Sequence, residues 1–334
     1  MAHPFTTILL DWFRENRRPL PWRETRDPYA IWLSEVILQQ TRIAQGTVYW
    51  QRFIGRWPTV EALAAATEDE VLREWQGLGY YSRARNLHAA AQQIVAMGHF
   101  PDTTEEIRRL KGVGDYTAAA IASIAFDLPE AVVDGNVYRV LARHFGIDTP
   151  INSTEGKKTF KALAQELLPT GEASAFNQAM MDFGAVQCTP QSPRCLLCPL
   201  VESCEARRTG KVEALPVKLK KLQVKTRRMA YVYLRCDGHT AIHRRGAGDI
   251  WQGLWEPLSP QNDDLLKKAR LLRSNVKHVL THRILLADFY LLECAERPPL
   301  PDDFIWIPEA DIEQYGVPRL VELLLEAVAK HDNK

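Results

Sequence analysis

Over roughly the first two-thirds of the chain, apolar residues recur with the period of a helix. Phe5, Ile8, Leu9, Trp12 and Phe13 follow the i, i+3, i+4, i+7, i+8 spacing, which gives an opening helix one apolar face. Thr67 to Glu70 and Thr103 to Glu106 have the spacing of capping boxes. Apolar residues follow each, Val71 and Leu72 in one case and Ile107 and Leu110 in the other, so a new helix is expected after both. Turn signals at Gly77, at Gly98-His99-Phe100-Pro101 and at Pro129 separate the segments. The pattern predicts an all-helical unit up to about residue 205.

Beyond a Lys/Arg-rich stretch the period changes to two. MAYVYLRC at 229–236, TAIHR at 240–244 and HRILLADFYLLEC at 282–294 read as strands, with Asp237-Gly238 as a hairpin-type turn. A last helix, from about Pro318 to Lys330, carries Leu320, Leu323, Leu324 and Val328 on one stripe. The expected organisation is a helical domain over 1–207, a basic linker over 208–228 and an α+β domain over 229–334.

Composition supports two soluble globular domains: 334 residues, 46% hydrophobic and 25% charged. No apolar run reaches the roughly eighteen residues of a membrane span, and MAHPFTTILLDWF carries charge too early for a secretory core. An intracellular protein is expected, cytoplasmic and, in a bacterium, associated with the nucleoid. The net charge of +1 says little, because a local patch matters more than the sum. Such a patch exists: Arg207, Arg208, Lys211, Lys218, Lys220, Lys221, Lys225, Arg227 and Arg228 share a segment whose only acid is Glu213. On charge alone a solvated, flexible linker is the favoured explanation.

Three constellations carry candidate chemistry. Cys188, Cys195, Cys198 and Cys204 fall within seventeen residues, and without a secretion signal this favours a metal centre over disulfides. Cysteine chemistry alone leaves zinc and iron–sulfur both open. Cys236 and Cys294 fall in expected strands as inert thiols. The second is Leu110-Lys111-Gly112-Val113-Gly114, a glycine turn between helical segments, whose following amides can hold a phosphate. Asp134, ahead of the helical run Val137 to Phe145, is either an N-cap or a carboxylate aimed at a cationic centre. The third is Glu35, surrounded by Ile31, Trp32, Leu33, Val36, Ile37 and Leu38. Either it sits at the edge of an amphipathic helix, or it is enclosed and desolvation raises its pKa and keeps it protonated near neutral pH, as a general acid must be.

The glycine turn, Asp134 and the cysteine cluster together resemble the helix-hairpin-helix superfamily of base-excision DNA glycosylases, over roughly residues 1–205. Leu20-Pro21-Trp22-Arg23, SEVILQQT at 34–41, GLGYYSRARNLH at 77–88, VDGNVYRV at 133–140 and FNQAMMDFGAVQCTP at 176–190 look like motifs of its adenine-specific branch. The resemblance implies a mainly α glycosylase fold with an iron–sulfur cluster loop, and so a 4Fe-4S cluster on the four cysteines. It implies that Glu35 protonates adenine at N7 and that Asp134 stabilises the sugar cation. Gln178 contacts the flipped base, Trp22, Arg23 and Leu38 line its pocket, and Tyr80 and Gln40 wedge into the duplex. Gly112, Gly114 and Lys111 meet the DNA backbone, with Lys111 standing where proline is usual.

Members that also cut the strand use a lysine two residues beyond the last glycine of the turn. Here that residue is Tyr116, so base removal without strand cleavage is implied, with Tyr116 packed or hydrogen-bonded near Asp134. IHRRGAGDIWQGLWEPL, from Ile242, resembles the Nudix-like domain of the same branch. PQNDDLLKKARLL lacks the acidic helix of a working Nudix hydrolase, so a module that recognises 8-oxoguanine is implied. Leu280-Thr281-His282 is the nearest match to its Phe-Ser-His recognition loop, with Leu280 replacing the aromatic. The implied partner is double-stranded DNA with adenine opposite 8-oxoguanine or guanine, bound by a monomer. A glycosylase/lyase for damaged pyrimidines is disfavoured by Tyr116 and Gln178. A non-catalytic DNA-damage binder is disfavoured by Glu35 and Asp134, and a nucleotide hydrolase by the missing acidic helix.

Overall fold

The computed structural model describes residues 3–219, 224–260 and 263–333. Lys220 and Lys221 of the basic stretch, and Gln261 and Asn262 of the segment read as lacking an acidic helix, lie outside the described residues. By contacts the chain forms two compact units, residues 1–64 with 89–220 and residues 65–88 with 221–334.

Helices run through the first part of the chain: α1 (Pro4–Asn16), α2 (Pro28–Ile37), α3 (Ile43–Arg56), α4 (Val60–Ala65), α5 (Glu68–Glu74), α6 (Ser82–Met97), α7 (Thr104–Arg109), α8 (Asp115–Phe126), α9 (Gly135–Phe145), α10 (Thr154–Leu167) and α11 (Ala173–Asp182). The apolar face expected for α1 is seated as read, with Phe5, Leu9 and Phe13 buried. At Thr67 the capping box closes from both sides. At Thr103 only the threonine half is seen, its hydroxyl accepting from the Glu106 amide at 3.3 Å.

Two helices decide the position of the site. α2 starts at Asp27, which caps the Tyr29 amide at 3.0 Å, and is buried along Tyr29 to Ile37, so it is an interior helix rather than an amphipathic one. It packs against α8, whose buried Ala118, Ala119, Ala120 and Ala122 present little side-chain bulk and let the backbones approach. α7 and α8 are joined through the glycine turn, where Gly112 takes φ 78°, a backbone region that glycine enters without steric cost.

In the second unit, β1 (Lys225–Arg235) pairs in parallel with β5 (Arg283–Glu293), and β4 (Arg270–Val279) pairs antiparallel on the other side of β5. A second sheet has the order β3 (Trp255–Pro257), β2 (His239–Arg244), β6 (Phe304–Pro308). The Asp237-Gly238 turn is confirmed, with φ of 47° and 67°. β5 alternates buried and half-buried residues, as its sequence period requires. The closing helix, Arg319–Asp332, buries Leu320, Leu324 and Val328 against a core that includes Tyr231, Phe289 and Leu291. β3, β4 and β6 were not expected from the sequence; β4 buries only Val276, so it carries no apolar alternation to read.

Candidate active site

A cavity of about 250 Å³ opens in the first unit, and the expected residues Trp22, Arg23, Glu35, Leu38, Tyr116, Asp134 and Gln178 all line it. They come from five separate chain segments. Only the fold brings them together.

Glu35 projects from the buried helix α2 and is 8% exposed. Burial pushes its carboxyl up to about 7. The Tyr116 hydroxyl opposes that shift by donating to Glu35 Oε2 at 3.3 Å. The Asp134 charge adds to it, and Arg23 pulls slightly the other way. Near neutral pH a large share of Glu35 therefore holds its proton. Tyr116 shares the cavity with Asp134; burial, to which the Asp134 charge adds, holds its phenol well above the usual range, and its hydrogen bond goes to Glu35.

Asp134 is both a helix cap and a lining residue of the cavity. Its Oδ1 accepts from the Asn136 and Val137 amides, each at 2.8 Å, and Oδ2 accepts from Asn136 Nδ2 at 2.8 Å. Burial raises its pKa, while these three bonds and Arg139 hold it back. The cap fixes the carboxylate at the start of α9, where the helix dipole also favours negative charge.

Several polar residues that support the site were missed by the sequence reading. Asp182, fully buried at the end of α11, accepts from Arg23 Nη1 at 2.7 Å, Arg23 Nη2 at 2.9 Å and Arg18 Nε at 2.7 Å. Burial alone would raise the Asp182 pKa, yet the hydrogen bonds from Arg23 and Arg18 outweigh it and hold the carboxyl below the usual range. Arg23 thus lines the cavity with its guanidinium already committed. Asn177, also fully buried, accepts from the Val132 amide at 2.9 Å and donates to Ser123 Oγ at 2.9 Å and the Glu130 carbonyl at 2.8 Å. It pins the segment that leads into Asp134. The readable signal was a lone acid in the apolar run FNQAMMDFGAV.

Gln178 donates from Nε2 to Ser174 Oγ at 3.0 Å. Gln40 does not line the cavity, although Gln39 and Thr41 on either side do. Gln40 and Tyr80, the expected wedge residues, adopt left-handed φ of 57° and 47°, a strained state for a residue with a side chain. Lys111, Gly112 and Gly114 are all exposed.

Cys188, Cys195, Cys198 and Cys204 line one small cavity of the first unit as free thiols. Among the described residues no group of three His, Cys, Asp or Glu side chains is poised around a single metal ion. Arg143 organises the loop, donating to the Thr189 carbonyl at 2.7 Å, the Pro190 carbonyl at 3.2 Å and Cys188 Sγ at 3.4 Å. Burial, then the neighbouring thiols, push Cys198 up to about 11. Arg139 lies one turn before Arg143 on α9 and bonds the Cys188 carbonyl at 2.8 Å and Asn136 Oδ1 at 2.8 Å. Two cations spaced i, i+4 in the otherwise apolar VYRVLARHF were the overlooked signal.

In the second unit, Leu280, Thr281 and His282 form the turn between β4 and β5 and border a cleft of about 600 Å³ with Tyr80 and Trp251. The Thr281 hydroxyl bonds the Tyr80 hydroxyl. Leu280 packs at the edge of the core beside Ile250 and Trp251.

Comparison with known proteins accords with this arrangement. Residues 33–169 match the model of the HhH-GPD superfamily base excision DNA repair protein, and residues 229–327 match that of the NUDIX domain. An adenine DNA glycosylase of Buchnera aphidicola is 30% identical over 347 residues, an alignment that covers 98% of each chain. The chain belongs to the adenine DNA glycosylase family. The adenine DNA glycosylase of Rattus norvegicus is 44% identical over 226 residues, covering 64% of this chain and 44% of the rat protein. The chain therefore spans less than half the length of that mammalian relative. A solved thermostable thymine-DNA glycosylase superimposes with a TM-score of 0.57 at 31% identity, over 61% of this chain and 95% of its own. The fold of this family member is thus a helical HhH-GPD part followed by a Nudix-like part with strands. Among the described residues no helix is long and apolar enough to cross a membrane.

Proposed function

We propose that the chain is a monofunctional adenine-DNA glycosylase that removes adenine mispaired with 8-oxoguanine or guanine in base excision repair. The observation that carries this reading is a buried glutamate, its pKa raised to about 7, sharing one cavity with a capped aspartate. The helical part to residue 207 is the catalytic domain, 208–228 the linker and 229–334 the lesion-reading domain. The protein works as a cytoplasmic monomer on duplex DNA.

Adenine is stacked in the duplex and must be rotated out, at a cost of a few kcal/mol that is smallest for a mispair. Gln40 and Tyr80, held in left-handed backbone, fill the gap. The base enters the cavity beside Gln178, Trp22 and Leu38. Lys111 and the amides after Gly112 and Gly114 hold the backbone phosphates. With the Tyr116 hydroxyl on Oε2, Oε1 is left to carry the acidic proton of Glu35, which passes to adenine N7. The C1′–N9 bond then breaks with its electron pair going to the base, because a protonated base is the better leaving group. Positive charge on the sugar is met by Asp134, whose position is fixed before the charge appears. Water adds to C1′ and gives up a proton to the Glu35 carboxylate, which restores the acid and leaves an abasic site. The phenol of Tyr116 cannot form the imine through which a lysine would cut the strand.

Cys188, Cys195, Cys198 and Cys204 would hold a 4Fe-4S cluster: the four free thiols line one cavity, and four cysteine thiolates are the ligand set of such a centre. Bound there, the cluster would cross-link the loop and would supply one-electron redox capacity. Thr281 and His282 supply hydrogen-bonding groups for the oxidised guanine in the second unit. The test is single-turnover treatment of a duplex with one adenine opposite 8-oxoguanine, developed with and without hot alkali. Breaks after alkali alone support the reading, breaks without alkali indicate a lyase, and their absence in both would make the protein a binder.

A further inference from the structure

A second cavity, of about 350 Å³, shares a wall with the base cavity. Trp22, Arg23, Ile124 and Gln178 line both, whereas Glu35 and Asp134 line only the first. The rest of the second cavity is largely polar, including Arg17, Thr25, Arg26, Asp127, Glu172 and Ser174. Parts of this wall are held in place: Arg17 Nη2 donates to the Arg23 carbonyl at 2.8 Å, and Asp127 Oδ1 accepts from the Ser174 amide at 2.8 Å. Arg23 is fixed by Asp182. Gln178 is tied more loosely. Its Nε2 bonds Ser174 Oγ, while its Oε1 is buried with no hydrogen-bond partner, so rotation of this amide exchanges a single bond.

The proposed reaction creates a traffic problem at this wall. Adenine arrives as part of a nucleotide still tied to its strand. Once C1′–N9 is broken, the abasic sugar stands in the opening through which the nucleotide came. The free base is then confined until the duplex dissociates, unless it has another way out.

We propose that the second cavity is a discharge site for the free purine base, gated by Gln178, through which adenine leaves while the abasic duplex is still bound. This rests on the glycosylase reading above. The cavity, of about 350 Å³, is comparable in size to the one of about 250 Å³ that must hold the same base during reaction. Free adenine is neutral and planar with donors and acceptors around its edge. The hydroxyls of Ser174 and Thr25 and the amide of Gln178 match that edge.

The test uses the full chain and a duplex carrying radiolabelled adenine opposite 8-oxoguanine. Alkali-labile sites report bond cleavage, and label passing a filter that retains the protein–DNA complex reports base discharge. Ala175→Trp and Thr25→Trp fill the second cavity from two different segments, and neither residue lines the base cavity. The wild type is expected to discharge adenine as fast as it forms alkali-labile sites. Each variant should keep the cleavage rate within about twofold while slowing discharge about tenfold or more, to the rate of duplex dissociation. Discharge at the wild-type rate from both variants, or release of adenine by the wild type only together with the duplex, overturns the proposal. A wild type that forms no alkali-labile sites refutes the glycosylase reading itself, which is a distinct result.

Discussion

In the 250 Å³ cavity of the first unit, the ionisable side chains are held by partners: Arg18 and Arg23 by Asp182, Glu35 by Tyr116, Asp134 by Asn136 and the start of α9. In the 600 Å³ cleft of the second unit, Thr281 and His282 sit exposed on a turn. On the proposed function, the contrast separates two jobs. Setting a proton affinity near neutrality requires taking a carboxyl out of water and fixing its neighbours. Reading a lesion requires hydrogen-bonding groups that a base edge can reach. The first site is therefore expected to be sensitive to single polar changes, and the second tolerant of them.

The sharpest way to break this contrast is Glu35→Gln, which keeps the shape and removes the proton. Single-turnover base release should fall by about 10² to 10⁴-fold, with duplex binding by gel shift little changed. Base release by the wild type should be level below pH 7 and decline above it, as Glu35, raised to about 7 by burial, loses its proton. A variant within tenfold of the wild type would mean that the buried carboxyl is not the acid.

Next in size is Asp182→Asn. Asp182 is fully buried between two guanidinium groups whose side chains are 5% and 25% exposed. Removing the counter-charge strands both cations, and breaking such a buried pair costs about 3–5 kcal/mol, to be read from urea unfolding followed by circular dichroism. An unchanged midpoint would show that the first unit is less tightly interlocked than its hydrogen bonds indicate.

Glu35 also makes stability depend on pH. Its pKa is raised on folding from 4.5 to about 7, so the folded state binds the proton more tightly than the unfolded one. The resulting stabilisation relative to high pH is full below pH 4.5 and lost as pH rises through 7. Glu35→Gln has no such dependence at this position. Relative to the wild type it should gain about 3 kcal/mol between pH 4 and pH 8, and parallel unfolding curves across that range would contradict the burial argument.

Much of this could be read from the chain because some signals are local. An acid within IWLSEVIL must be buried if that helix is interior, and the period of two in RILLADFYLLE leaves little choice of structure. Four cysteines within seventeen residues announce themselves. What could not be read depends on tertiary placement. Asp182, Asn177, Arg139 and Arg143 are polar residues whose burial is possible only because distant segments supply their partners. The bond from Tyr116 to Glu35 joins α8 to α2, residues 81 positions apart, and no sequence spacing encodes it. β4 escaped because its side chains mostly face water.

The smallest expected effects belong to the exposed turn. Thr281→Val keeps the shape of the side chain but removes its hydroxyl, and with it the bond to the Tyr80 hydroxyl. One hydrogen bond is worth about 1 kcal/mol, so on the proposed reading affinity for duplex with adenine opposite 8-oxoguanine should fall by about fivefold relative to duplex with guanine there, with the single-turnover rate of base release nearly unchanged. Leu280→Phe tests the same turn in the other direction. Leu280 already packs beside Ile250 and Trp251 at the edge of the core, and a ring there adds a flat surface against which a base can stack, worth about 1 kcal/mol or more. Binding to duplex with 8-oxoguanine should tighten by a few-fold while single-turnover base release stays constant. If Leu280→Phe instead changed the rate of base release, lesion reading and bond cleavage would not be separable between the two sites.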